Sequence, residues 1–168
     1  MSQPVLPADV SVLTARRADL AAIMQLERTG FPAAEQWSER SWQGELLGEG
    51  QTVLVARAHH LIGVISLKTI GELSDLHRLV VDPLWRGRGI GAALVRAGLT
   101  IVRHHGARAV MLEVSYTNEP AIALYQRIGF EQLSARQNYY GPGQHALILK
   151  LYDLQSWPNP ARPAETQP

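Results

Sequence analysis

Residues 79–92 read LVVDPLWRGRGIGA: an apolar strand stops at Asp82-Pro83, and a loop of glycine and arginine opens a helix. The first backbone N–H groups of a helix have no partner within it, and the aligned peptide dipoles place about half a positive charge there. Gly87, Gly89 and Gly91 keep side chains out of the approach, while Arg86 and Arg88 add charge and forked donors. A lone Gly-x-Gly more often only turns the chain. Joined to two arginines and a well-patterned helix, it predicts a cradle for a diphosphate.

Downstream of the loop, Ile90, Ala93, Leu94, Ala97 and Ile101 recur on one helical face, with Arg96, Thr100 and Arg103 opposite and Gly106 as the stop. Upstream, the strand predicted over 73–81 follows two others, 52–58 and 61–69, joined at His59-His60. Before those come a short strand at 11–16 and helices over 18–27 and 38–47, the second capped by Ser38 or Ser41. Beyond the glycine loop and its helix, a strand at 109–116 leads to a helix capped by Asn118, with Pro120 in its first turn and Gly129 at its end. Strands at 130–137 and 145–151 follow, around a turn at Tyr139-Tyr140-Gly141-Pro142-Gly143. The order β-α-α-β-β-β-α-β-α-β-β predicts an α/β (α+β) domain over 11–153, with a mixed sheet of about seven strands and about four flanking helices. Residues 1–10 form an N-terminal extension in this reading, and the proline-rich stretch 154–168 a disordered tail.

At 168 residues the chain suits one domain. Its net charge is +1, and sixteen basic residues, fourteen of them Arg, are scattered rather than gathered into a stripe, so nucleic acid is not an expected partner. With no Cys, thiolate nucleophiles and thiolate metal sites are excluded. His59, His60, His104 and His105 lack His-x-x-x-His spacing and acidic company, so no metal is expected. The first residues lack the basic and apolar regions of a signal peptide, and no apolar run approaches 18 residues. A cytoplasmic protein without a membrane partner is expected.

Glu113 interrupts the apolar run Ala109 to Val114, and a carboxylate inside a sheet is costly unless it is paired, solvated or functional. Desolvation by its neighbours would suit it to act as a general base near neutrality; a strand-end Glu reaching water or an Arg is the plainer alternative. Tyr125 falls on the apolar stripe of the helix after Asn118, as a core tyrosine with a hydrogen-bonded hydroxyl, yet close to where a ligand on the glycine loop would extend. His77 is a second conceivable base, although a half-exposed strand histidine fits it as well.

These residues together resemble the GNAT acyl-CoA N-acyltransferase superfamily, and within it the RimI-like N-terminal protein acetyltransferases, over roughly residues 11–151. The signature Arg/Gln-x-x-Gly-x-Gly/Ala stands here as Arg86-Gly87-Arg88-Gly89-Ile90-Gly91. The family's second block is similar to Leu112–Phe130, with Asn118, Ala121, Leu124, Tyr125, Gly129 and Phe130 in register. The resemblance implies a mostly antiparallel sheet and acetyl-CoA as co-substrate, with no metal. Backbone groups of Leu79, Val80 and Val81 would pair with the pantetheine arm. The N–H groups of Arg86, Gly87, Arg88, Gly89, Ile90, Gly91 and Ala92 would hold the pyrophosphate. Asn118 would bond the arm, Glu113 would accept the proton of the amine, and Tyr125 would protonate the departing thiolate. Trp37, Trp42, Tyr139 and Tyr140 would line a peptide entrance for a protein N-terminus, by resemblance the N-terminal alanine of a small-subunit ribosomal protein. The family's Phe-Pro-Trp is interrupted here, with Ala33 to Gln36 between Pro32 and Trp37.

An α-amino group titrates near 7.7–8.0 and a lysine near 10.4, so freeing the amine at pH 7 costs about 1 kcal/mol for the first and about 5 for the second. A modest carboxylate base therefore favours the α-amine. Three other readings remain at this point: acetylation of a small amine or lysine side chain, an acetyl-CoA-binding sensor without turnover, and a dinucleotide fold. The last arises because Gly87, Gly89 and Ala92 also spell Gly-x-Gly-x-x-Ala.

Overall fold

The computed structural model describes residues 5–158. Seven strands form one sheet: β1 (Ser11–Thr14), β2 (Gln51–Arg57), β3 (Leu61–Ile70), β4 (Leu73–Val81), β5 (Ala109–Ser115), β6 (Glu131–Gly141) and β7 (Gln144–Leu151). Their spatial order is β1-β2-β3-β4-β5-β7-β6. Every neighbouring pair is antiparallel except β4 and β5. A doubly wound dinucleotide fold has a mostly parallel sheet, whereas β4 and β5 are the one parallel pair among the described strands, so that alternative is set aside.

The helices α1 (Leu20–Gly30) and α2 (Glu39–Leu47) cover one face, and α3 (Ile90–His104) and α4 (Glu119–Ile128) the other. Ile23, Leu26 and Trp42 pack on Val53, Val55, Val64 and Val80. On the opposite face Ile90, Leu94, Leu99, Tyr125 and Ile128 join Ile65, Leu67, Val110, Leu112 and Leu149. Because both faces are covered, β2 and β3 read as nearly unbroken apolar runs instead of alternating ones. Among the described residues, no helix is long and apolar enough to cross a membrane.

Two boundaries differ from the sequence expectation for physical reasons. Helix α1 runs on past Glu27 to Gly30, because Glu27 lies on its buried face, four residues after Ile23. The expected start of a disordered tail at residue 154 is not met. Leu154 is fully buried, and Trp157 donates its indole N–H to the carbonyl of Ile128. The rest of that tail, 159–168, lies outside the described residues.

Candidate active site

Strands β4 and β5 pair only from Leu73↔Ala109 to Leu76↔Leu112. Beyond that point β4 continues to Val81 on β3, and β5 continues to Ser115 on β7, so the two diverge and leave a cleft between them. A β-bulge marks the place: Ser66 faces Arg78 and Leu67 faces Leu76, so His77 is an extra residue. The insertion lets two consecutive side chains, His77 and Arg78, bond acidic groups from the same face of the sheet, Glu45 of α2 and Glu27 of α1.

The start of α3 meets the end of this cleft. Gly89 is its N-cap, in the left-handed conformation at φ 82, and Gly87 precedes it at φ 75; both angles favour glycine. A serine or aspartate cap would have placed an oxygen on the first N–H groups. Here no side chain caps the helix, and the first helical N–H with a partner inside it is that of Ala93, on Gly89. A Cβ on Gly91 would stand 3.4 Å from Leu124, 3.8 Å from Val81 and 3.9 Å from Leu79, so the end of β4, the start of α3 and α4 converge there. This open, uncapped helix start beside unpaired strand backbone fits a pyrophosphate with an extended amide-bearing arm, which is the shape of acetyl-CoA.

Arg86 departs from the expected diphosphate fork. Its guanidinium donates to the carbonyls of Val81 (3.2 Å) and Gly30 (3.4 Å), fastening the loop to β4 and the end of α1. Arg88 stacks on Trp85, 4.9 Å from the ring centroid. Asn118 caps α4 by accepting from the N–H of Ala121 at 3.4 Å, which leaves its amide N–H₂ for a ligand.

Glu113 is the first β5 residue past the last β4 pair. The expected desolvation by apolar neighbours is not met: its side chain is 33% exposed and lies 3.3 Å from Arg136 of β6. Along β5, Val110, Leu112 and Val114 are buried while Glu113 falls on the alternate, exposed face, which is why the run Ala109 to Val114 accommodates it. Tyr125 is buried, edge-on to Phe130 at 5.6 Å, and burial pushes its phenol well above the ordinary value of 10. It therefore keeps its proton at any physiological pH.

At the opposite lip, Tyr139 and Tyr140 are each 48% exposed, with rings 5.1 Å apart. They stand on β6 itself, in a stretch where pairing with β7 skips from Arg136↔Ala146 to Gly141↔Gln144, and the turn is confined to Pro142-Gly143. Burial, together with the charges of Glu113, Tyr139 and Glu35, raises the Tyr140 phenol, while Arg78 opposes. Trp37 is partly buried near Phe31, but Trp42, expected at the entrance, is fully buried. Its indole N–H is taken up by Glu27 at 3.1 Å, behind Trp37.

Glu27 and Arg78 form the part of this region that sequence reasoning missed. Glu27 is fully buried and accepts from the Trp37 backbone N–H (2.9 Å), the Trp42 indole, and two nitrogens of Arg78. A signal was present, since Glu27 interrupts an apolar helical face as Glu113 interrupts an apolar strand. Among the described residues no group of three or more His, Asp or Glu side chains gathers as a metal site would require.

The profile of the Acetyltransferase (GNAT) family matches residues 19–130. An uncharacterized protein of Mycobacterium leprae is 34% identical over 139 residues, 79% of this chain; the chain spans 38% of that longer protein. The [ribosomal protein bS18]-alanine N-acetyltransferase of Salmonella typhimurium is 31% identical over 137 residues, 79% of this chain and 90% of the relative. In structure, the ribosomal-protein-S18-alanine N-acetyltransferase of Escherichia coli superposes with a TM-score of 0.78 at 23% identity, covering 95% of this chain and 99% of that one. The diverging strands and uncapped helix start thus sit within a sequence match covering most of the chain, and the chain belongs to the GNAT family of acetyltransferases.

Proposed function

We propose that this acetyltransferase moves the acetyl group of acetyl-CoA to the free α-amino group of a protein, with the N-terminal alanine of a small-subunit ribosomal protein as the favoured acceptor, in the cytoplasm. The observation that carries the reading is the cleft between β4 and β5, flanked by the uncapped start of α3 on one side and by Glu113, Tyr139 and Tyr140 on the other. The bS18-alanine activity of the Salmonella relative favours a peptide acceptor over a small amine.

Acetyl-CoA supplies an activated acyl carbon, held by the backbone of Leu79, Val80 and Val81, the N–H groups from Arg86 to Ala92, and Asn118. Glu113 takes a proton from the attacking amine, directly or through one water, as the C–N bond forms. Tyr125 gives a proton to the sulfur as the C–S bond breaks. No acyl-enzyme step is invoked, since the chain has no Cys. The exposure of Glu113 suits an amine whose deprotonation costs only about 1 kcal/mol at pH 7. Trp37, Tyr139 and Tyr140 border the acceptor's path.

The test is mass spectrometry of peptides beginning with Ala and carrying an internal Lys, incubated with the protein and acetyl-CoA. One peptide has a free N-terminus and one a blocked terminus. Acetylation of the free terminus alone is expected. Modification of Lys, or turnover of polyamines but not of peptides, would move the activity to the side-chain or small-amine reading.

A further inference from the structure

Arg78 is held more tightly than its place at the rim of a cleft requires. Its Nη2 and Nε donate to Glu27, the second at 3.4 Å, and Nη2 also donates to the Glu35 carbonyl at 2.8 Å. The guanidinium lies 3.7 Å from the Phe31 ring centroid and 4.9 Å from that of Trp37. Its side chain is only 14% exposed, and that of Glu27 not at all. Phe31, Glu35 and Trp37 all belong to the link between α1 and α2, where the chain carries Ala33–Glu35 as a single 3₁₀ turn. A link of this kind has few backbone bonds of its own, and much of its shape comes from what it is fastened to.

Arg78 supplies that fastening from β4, in the half of the strand that has left β5. Glu27 adds the second anchor by accepting the Trp37 N–H, and Trp42 closes the carboxylate's remaining side. We infer that Arg78, locked on Glu27 and between Phe31 and Trp37, is the positioning residue that gives the acceptor entrance its shape and so selects the acceptor's first side chain. This rests on the N-terminal acetyltransferase reading for the identity of the acceptor. The residue does not touch the reacting atoms; it acts through the Phe31–Trp37 link.

Lysine cannot replace it, because a point charge supplies neither the two-nitrogen fork to Glu27 nor a flat face for two rings. The experiment measures steady-state kinetics of R78K and F31L on peptides identical except for a first residue of Ala, Ser, Met or Leu, with CoA affinity by calorimetry. F31L keeps an apolar side chain of similar bulk and removes the stack, so it carries the test if R78K does not fold. For R78K we expect KM for the Ala peptide to rise about tenfold with kcat within about twofold, and the preference for Ala over Leu to fall about tenfold. CoA affinity stays unchanged, and F31L shows the same pattern at smaller size.

A folded variant with unchanged preference overturns the inference, as does a uniform loss of kcat, KM and CoA affinity, which is the mark of a merely structural pair. Failure of the N-terminal reading is separately visible. The wild type would then turn over no peptide, and the same variants would be read on a series of amines of increasing bulk.

Discussion

Glu27 and Glu113 are each paired with an arginine, and the two pairs stand on opposite sides of the same cleft. Glu27 is fully buried and saturated by four donors from three segments of chain. Glu113 is 33% exposed and has Arg136, itself 53% exposed, at 3.3 Å. A carboxylate with every lone pair engaged in a dry place has no acceptor site left for a substrate. One at the mouth, with a single exposed partner, can exchange that partner for an amine or a water. The first pair therefore builds shape, and the second is free for chemistry.

The largest expected effect separates them by stability. Removing one member of a buried pair leaves the other charge without compensation, at about 3–5 kcal/mol. Glu27→Ala should lose that much in urea or guanidinium unfolding, whereas Arg136→Ala, at an exposed pair, should lose about 0–1 kcal/mol. Equal losses for the two variants would erase the distinction. Activity should invert the order. Glu113→Gln keeps the shape and removes the base, so kcat/KM is expected to fall about a hundredfold or more with little change in melting temperature. A rate within a fewfold of wild type would dismiss Glu113 as base and return it to the role of a strand-end residue; retained CoA binding with no turnover in the wild type would point to the sensor reading.

Tyr125 sharpens the chemical side. Tyr125→Phe should cost about 10²-fold in kcat if the phenol protonates the leaving sulfur. Because burial raises its phenol above 10, the sign of the pH dependence follows. The proton is present throughout the neutral and mildly alkaline range, so kcat should show no descending limb from this group below about pH 10. A descending limb centred near pH 8–9 that vanishes in Tyr125→Phe would contradict that environment.

Much of the site was legible because glycine, proline and cap residues carry local meaning. Asp82-Pro83, the glycines at 87 and 89, the Asn118 cap and the Gly129 stop mark β4, α3 and α4 within a residue or two. What could not be read was pairing over long sequence distance. Arg78 meets Glu27 across 51 residues, and nothing in the pattern around either says so. The β4 bulge was equally hidden. Leu76 and Leu79 pack on the same face although three residues apart, which period-two alternation forbids until His77 is set aside as an extra residue. The rule that a carboxylate in an apolar pattern is noteworthy was sound, and applied to α1 it finds Glu27. The pattern alone does not say whether such a group is locked or available. That depends on how many donors the fold delivers, and here the locked carboxylate is the deeper one.

Glu45 and His77 make a third pair of intermediate burial, and so give the smallest and finest test of the scale between the other two. His77 Nδ1 lies 3.1 Å from Glu45, with side chains 32% and 13% exposed. The hydrogen bond to Glu45 raises the imidazole above 6.5 against the opposing effect of burial, helped by the charges of Glu45 and Asp75. Burial works against ionising Glu45, yet bonds from His77 and Ser66 and the charges of His77 and Lys68 hold it below 4.5. A raised histidine contributes stability that is fully present below its unfolded value and fades as pH rises through the folded one. A depressed carboxylate contributes above its unfolded value and fades as pH falls through the folded one. The two overlap between about pH 4.5 and 6.5. His77→Ala should therefore be less stable than wild type by about 0.5–1 kcal/mol near pH 6, with the gap closing toward pH 9. A gap that persists at pH 9 would mean that packing at the bulge, and not charge, is what His77 contributes. The gradation from Glu27 through Glu45 to Glu113 would then reflect shape alone at its midpoint.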